Sequence, residues 1–291
     1  MRIGAIEAGG TKFVCGIGNE HGEIAERISF PTRGPEETMA DVIAFFRDKQ
    51  VEAFGIGSFG PIGLNPSQPD YGCFTTTPKP GWAGYPMLAE MGRHFSVPMR
   101  WDTDVNAAAL GEATWGAAKG LGSCVYYTIG TGVGVGVYVE GKPVHGLVHP
   151  EGGHVLIRRH PDDTFAGNCP YHGDCLEGMA AGPALERRWQ IKGSDIPADH
   201  EAWTLEAYYI GQAVAGTILL LSPEKVILGG GVMHQRQLFP LIREEVRRAL
   251  NGYVSAAAVQ EGIDDYIIAP GLGDNAGLCG AVALGLMAIK G

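Results

Sequence analysis

The sequence predicts an α/β protein built as two similar lobes with a central cleft. Three observations carry this. Short apolar runs alternate with segments of helical period, a glycine-rich two-strand unit recurs at one fixed offset, and glycine concentrates in turns that follow strands. Gly supplies 45 of 291 residues, about double the average share, and such clusters mark tight turns and close backbone approach.

Taken in order, residues 3–8, 13–18 and 24–30 are apolar runs separated by Gly9-Gly10-Thr11-Lys12 and Asn19-Glu20-His21-Gly22. This predicts a three-strand antiparallel meander with a glycine-rich first turn. Met39, Val42, Ile43 and Phe46 stand at i, i+3, i+4 and i+7, which predicts a helix over 36–50, followed by a buried strand at 54–58. The pattern returns where 125–129 and 133–139 flank Gly130-Thr131-Gly132: Gly10-Thr11 aligns with Gly130-Thr131, Gly16 with Gly136 and Glu20 with Glu140. Between the two units, residues 61–82 hold Pro61, Pro66, Pro69, Pro78 and Pro80, an irregular surface loop. An Ala-rich helix over 107–118 should begin near Asp104. Later helices are expected at 176–191, 201–221, 236–250 and 275–289, with strands at 226–228 and 266–269. The lobes are placed at residues 1–117 and 118–291, the last helix being free to pack back on the first lobe.

With 45% hydrophobic and 19% charged residues, the chain reads as globular and not disordered. Lys plus Arg is 22 against 32 Asp plus Glu, a net charge of −10, which argues against nucleic acid or an anionic membrane as partner. A phosphate ligand remains compatible, because backbone N–H groups bind phosphate without a basic surface. The longest apolar stretch, near 213–221, is short of the roughly 20 residues a bilayer needs. The first residues meet Glu7 without a signal-peptide core, so a cytoplasmic location is expected. Six cysteines in such a chain are not a disulfide framework. Cys15, Cys73, Cys124 and Cys279 read as buried free thiols.

Three constellations can carry chemistry. Gly9-Gly10-Thr11-Lys12, Gly130-Thr131-Gly132-Val133-Gly134 and Gly229-Gly230-Gly231 each follow a strand, where main-chain N–H groups can approach a phosphate or adenosine. No GxxxxGK[ST] is present, and no GxGxxG opens a helix after the first strand. In Asp102-Thr103-Asp104-Val105-Asn106, two carboxylates precede the Ala-rich helix. Asp104 is read either as a helix cap or as a general base toward a bound hydroxyl, with Asn106 as a polyol contact. Cys169-Pro170-Tyr171-His172-Gly173-Asp174-Cys175 has C-x₂-H-x₂-C spacing, which suits tetrahedral zinc. His154 is the nearest fourth ligand, with His149 and His160 as rivals. Trp82, Trp101 and Trp115 read as packing residues, Arg243, Arg247 and Arg248 with Glu244 and Glu245 as a solvated helix face, and Lys12 as a phosphate contact or a surface residue.

The ordered set of these motifs resembles the ROK-family sugar kinases. It comprises Glu7-Ala8-Gly9-Gly10-Thr11-Lys12, the run Thr103-Asp104-Val105-Asn106-Ala107-Ala108-Ala109-Leu110-Gly111-Glu112, Gly130-Thr131-Gly132-Val133-Gly134, Glu151-Gly152-Gly153-His154, Cys175-Leu176-Glu177 and Gly229-Gly230-Gly231-Val232. The resemblance covers essentially the whole chain and is greatest to the bacterial fructokinases. It implies an actin-like ATPase (ribonuclease H-like) fold and transfer of the ATP γ-phosphoryl to a hexose hydroxyl. Asp104 matches the family's catalytic base. Asn106, Glu151, His154 and Glu177 match its sugar contacts. Gly9, Gly10, Thr11 and Lys12, with Gly130, Thr131 and Gly132, match its phosphate loops. Gly229, Gly230, Gly231 and Val232 match its adenosine loop. The cofactors implied are ATP, Mg²⁺ and a structural Zn²⁺, and a homodimer is a further expectation. Two departures stand out. Glu7 replaces the usual Asp, which could shift Mg²⁺ coordination by about one methylene. His172 stands where the family's zinc loop has a third cysteine, giving the ligand set His154, Cys169, His172 and Cys175. The competing readings are a glucokinase, mannokinase or N-acetylhexosamine kinase, a non-kinase actin-like ATPase, and a sugar-sensing regulator; the last would need a DNA-binding domain ahead of the strand at Ile3.

Overall fold

A computed structural model describes residues 1–290. In chain order the elements are β1 (Ile3–Ala8), β2 (Lys12–Gly18), β3 (Ile24–Pro31), α1 (Pro35–Phe46), β4 (Ala53–Ser58), α2 (Met87–His94), β5 (Met99–Thr103), α3 (Asp104–Thr114), β6 (Ser123–Ile129), β7 (Val133–Val139), β8 (Lys142–Pro143), α4 (Leu176–Ala180), α5 (Gly182–Trp189), α6 (Ala202–Leu221), β9 (Val226–Gly229), α7 (Leu238–Leu250), α8 (Ala257–Gln260), α9 (Ile263–Tyr266), β10 (Ile267–Ile268) and α10 (Ala276–Lys290). Short 3₁₀ turns cover Gly152–His154 and Gly231–His234. The chain divides into two compact units. The first is Met1–Gly120, Gly136–Pro150 and the segment from Gly271; the second is Leu121–Val135 and Glu151–Pro270. Where a single cut at 117/118 was expected, the chain passes between the units four times, once inside β7.

In the first unit the sheet order is β3-β2-β1-β4-β5. β1 pairs antiparallel with β2 and parallel with β4, and β5 continues parallel from β4. One face buries Ile6, Phe13, Phe54, Ile56, Trp82 and Trp101. The other buries Ile3, Ala5 and Val14 against Leu278, Ala281 and Val282 of α10. Small residues set how near α10 comes: a Cβ on Gly55 would stand 1.7 Å from the Ala281 carbonyl oxygen, and one on Gly280 1.7 Å from that of Ala107 in α3. Helix α2 and strand β5 lie in residues 83–103, a stretch for which no element was expected. Helix α1 ends at Phe46 and α3 at Thr114, both short of the periodic segments, and Cys73 is half-buried.

The sheet order β10-β9-β6-β7-β8 includes the second unit's strands, with β6, β9 and β10 mutually parallel. Helices α6 and α7 pack on one another. The helix expected over 176–191 is two helices, because Ala181 is extended (φ −71°, ψ 155°) and Gly182-Pro183 restarts the turn; proline disfavours helix continuation through it. Helix α6 is long and apolar enough to cross a membrane, but half of its apolar window is buried, with Trp203, Tyr209, Ile210 and Val214 in the unit's core. Arg243 is no solvated residue: its guanidinium donates to the carbonyls of Ile267 and Asp264.

Candidate active site and metal centre

The junction of β5 and α3 organises the first unit's polar groups. Thr103 is the N-cap, its hydroxyl accepting from Asn106 N–H at 3.3 Å. That frees Asp104 from the capping role: it is the first helical residue, and its Oδ1 accepts from Val105 N–H at 2.9 Å. Beside it, Asp102 is buried and takes three donors: Thr103 N–H at 2.7 Å, Asn106 Nδ2 at 2.9 Å and His145 Nε2 at 2.8 Å. The bond to Asp102 raises the His145 pKa. His149 places Nδ1 3.4 Å from the Thr103 hydroxyl, and burial lowers its pKa to about 4, so it is neutral near pH 7.

Asn106 is fully buried, donates to Asp102 and accepts from Val137 N–H at 3.3 Å, so its amide braces the junction. Glu112, at the far end of the same motif, has a similar task. Its buried carboxylate accepts from Ala117, Gly271 and Leu272 N–H at 2.6, 3.0 and 2.9 Å, which seats the turn leading into α10. At the β1–β2 turn, Gly9 N–H donates to Lys12 O at 3.0 Å. Thr32 Oγ1 and Lys79 Nζ donate to the Gly9 and Gly10 carbonyls, each at 2.6 Å. Lys12 and Thr11 are exposed. Burial, reinforced by the charge of Asp104, pushes the Glu7 carboxyl up to about 7, against the pull of Lys12.

In the second unit two glycine turns lie side by side. A Cβ on Gly230, whose φ is 90°, would stand 2.5 Å from backbone N and O of Ile129. The Gly130 carbonyl accepts from Gly182 N–H at 2.7 Å. Thus Gly130, Thr131 and Gly132 are grouped with Gly229, Gly230, Gly231 and Val232. Glu177 joins this group: its Oε2 accepts from Val133 N–H at 3.0 Å, and a Cβ on Gly132 would meet that oxygen at 2.7 Å. The other Glu177 oxygen lies 4.0 Å from His154 Nε2. Glu151 is exposed and precedes the turn that carries His154.

His154, Cys169, His172 and Cys175 converge, with one ligand atom each all within 4.8 Å of one another. His154 Nδ1 is 3.7 Å from Cys169 Sγ and 3.5 Å from Cys175 Sγ, and His172 Nδ1 is 3.6 Å from Cys169 Sγ. Ligands of a tetrahedral zinc, with Zn–S of about 2.3 Å and Zn–N of about 2.05 Å, have an N···S edge of about 3.6 Å. The donors therefore fit that ion in type and in spacing. Burial raises the Cys175 thiol to about 11, a penalty that a bound cation would offset. The rival ligands are elsewhere: His149 is on Thr103, and the His160 ring lies edge-on to Tyr208 at 4.8 Å.

The sequence profile of the ROK family matches residues 3–287. The chain belongs to the ROK family. It is 50% identical to a fructokinase of Pediococcus pentosaceus, over 100% of this chain and 99% of that protein. It is 42% identical to a fructokinase of Streptococcus mutans, over 98% and 96%. Its fold is the family's actin-like ATPase fold. The ROK hexokinase from Thermus thermophilus superposes with a TM-score of 0.80 at 27% identity, covering 100% of this chain and 99% of that one. A ROK family glucokinase from Streptomyces griseus, in complex with glucose and AMPPNP, gives 0.79 at 26% identity, covering 99% and 100%.

Sequence reasoning missed Thr103 as the cap, Asp102 as the buried acceptor and His149 as a junction residue, and His145 and Lys79 altogether. The nearest signal was the pair His145 and His149, four apart in a short segment just before Glu151-Gly152-Gly153-His154.

Proposed function

We propose that this ROK protein is an ATP-dependent hexose kinase whose preferred acceptor is D-fructose, giving fructose 6-phosphate. The observation that carries the reading is full-length identity of 42–50% to fructokinases. The nucleotide assignment is supported by the AMPPNP held by the Streptomyces glucokinase.

Asp104 is the proposed general base. Its place at the first turn of α3, with the cap supplied by Thr103, leaves a carboxylate to take the proton of the attacking hydroxyl. Phosphoryl transfer passes through a loose transition state, so orientation and charge neutralisation outweigh basicity. The turns at residues 9–12 and 130–132 offer main-chain N–H donors to phosphate oxygens, and residues 229–232 the adenosine contact. Mg²⁺, when bound, neutralises phosphate charge, and Glu7 is the carboxylate nearest in sequence to the first turn. Glu151, His154 and Glu177 are the sugar contacts. Zinc, when bound by His154, Cys169, His172 and Cys175, supplies a structural cross-link.

The deciding experiment measures kcat/KM for D-fructose, D-glucose, D-mannose and N-acetyl-D-glucosamine with Mg-ATP. The highest value is expected for fructose. A higher value for another hexose would reassign the acceptor, and ATP hydrolysis indifferent to any sugar would end the kinase reading.

A further inference from the structure

The second unit buries a knot of charge that the proposed chemistry does not use. Arg188 on α5 pairs with Asp163 at 3.1 Å, their side chains 6% and 5% exposed. Tyr209 on α6 donates its O–H to the same Asp163 oxygen at 2.6 Å. The other arm of Arg188 donates to the Met179 carbonyl at 3.0 Å, in the short helix that carries Glu177. The guanidinium also lies over the Phe165 ring, 4.7 Å from its centroid. Nearby, Glu206 is buried without a hydrogen-bond partner, and burial raises its pKa well above the usual range.

The segment that Asp163 belongs to needs such a fastening. From Val155 to Cys175 the chain has no helix and no strand, only isolated bridges at Leu156–Cys175 and Cys169–Gly173. Main-chain bonds such as Asn168 N–H to the Gly178 carbonyl at 2.8 Å and Leu176 N–H to that of Val155 at 3.0 Å tie parts of it, and side chains hold the rest. Gln212 on α6 exchanges two hydrogen bonds with the Arg158 backbone, each at 3.0 Å, and Arg159 pairs with Asp174 at 2.9 Å. A buried ion pair adds little net stability over a well-packed apolar pair, because desolvation cancels most of its attraction. What the guanidinium adds is direction: one planar arm donates to the Met179 carbonyl and the other to the Asp163 carboxylate, tying the two stretches together at fixed angles.

We propose that Arg188, with Asp163 and Tyr209, is a positioning residue that holds the Cys169-to-Glu177 segment in place and so sets the affinity for the sugar. This rests on the assignment of His154 and Glu177 as sugar contacts. A positioning role separates substrate terms: sugar binding suffers while nucleotide binding and the chemical step are spared.

The test uses zinc-loaded enzyme and three variants. Arg188→Met keeps length and removes both arms, and is expected to raise the fructose KM at least tenfold with ATP KM and kcat within about threefold. Arg188→Lys restores the charge but only one arm, and should fall between Met and wild type. Tyr209→Phe, which removes one oxygen, should raise the fructose KM two- to threefold. A second readout is independent of turnover: the rate at which a chromophoric chelator withdraws zinc should increase in the same order. Equal loss of kcat and of both affinities, in step with a falling folded fraction, would mean a general structural role and overturn the proposal. If Arg188→Met fails to fold, Tyr209→Phe decides, and an unchanged fructose KM with unchanged zinc release refutes it. If wild-type enzyme shows no sugar-dependent turnover, the kinase reading has failed on its own, and the ordered zinc-release rates still decide whether Arg188 fastens the segment.

Discussion

The β5–α3 junction and the His/Cys cluster each gather polar side chains around one centre, yet they are finished to different degrees. At the junction the central contacts are short hydrogen bonds to one carboxylate: Asp102 alone accepts three, at 2.7–2.9 Å. In the cluster two thiols and two imidazoles face one another at 3.5–3.7 Å, distances suited to a shared cation rather than to strong bonds between them. Folding alone completes the first arrangement. On the proposed zinc reading, the second would gain strength from a bound cation, since such metal binding contributes directly to folding free energy.

The largest expected effect is at the completed junction. Asp104→Asn preserves shape and removes the proposed base. Positioned acid–base groups contribute about 10²–10⁴-fold, so kcat should drop by that order while the KM for ATP changes little. Steady-state kinetics at saturating fructose measure it, and a variant with near-wild-type kcat removes Asp104 from that role. The next effect is at the incomplete cluster. Dialysis against a strong chelator should lower the melting temperature and raise the fructose KM, with readdition of zinc restoring both. Metal analysis should find about one zinc per chain. Active protein free of zinc would show that the cluster, like the junction, stands without a cation.

What was legible in the sequence follows the same division. The glycine turns, the Ala-rich helix and the C-x₂-H-x₂-C segment were readable because their partners are near neighbours. The Asp102 knot was not, because its histidine is 43 positions away (145 − 102) and only the folded chain brings it back. Strand β5, Met99-Arg100-Trp101-Asp102-Thr103, alternates apolar and polar residues, but it is only five residues long and ends in the polar pair that opens the next motif, which hid it. Asn106 reads as a ligand contact because an amide on a helix start is chemically suited to one; its burial and its bonds to Asp102 and Val137 are not reported by residue type and emerge only in the fold. The break at Ala181 was visible as Gly182-Pro183 but was outweighed by continuous helical composition on both sides.

The two histidines of the junction sharpen the comparison through pH. His149 has a folded pKa near 4 against an ordinary value of 6.5, so the unfolded chain binds its proton first. Its contribution to stability is complete above about 6.5 and is lost as pH falls toward 4. His145 is raised, so its contribution is present below 6.5 and is lost as pH rises through its folded pKa. His149→Gln should therefore flatten the fall in melting temperature between pH 6.5 and 4. A variant with the same acid slope as wild type would show that His149 is not the buried neutral group described.

The smallest effect belongs to Glu7, which links the first glycine turn to the junction electrostatically. Its folded pKa of about 7 lies above the ordinary 4.5, so the folded state holds the proton more tightly. Stability then falls as pH rises from 4.5 through 7. Ligand-free Glu7→Gln should lack that fall, and its melting temperature should gain on wild type by a few degrees between pH 5 and 8. Because burial ranks first and Asp104 second among the causes, Asp104→Asn should remove part of the slope while leaving most of it. A slope abolished by Asp104→Asn would make charge repulsion, not burial, the main cause, and would place the two carboxylates in closer contact than the junction's hydrogen bonds imply.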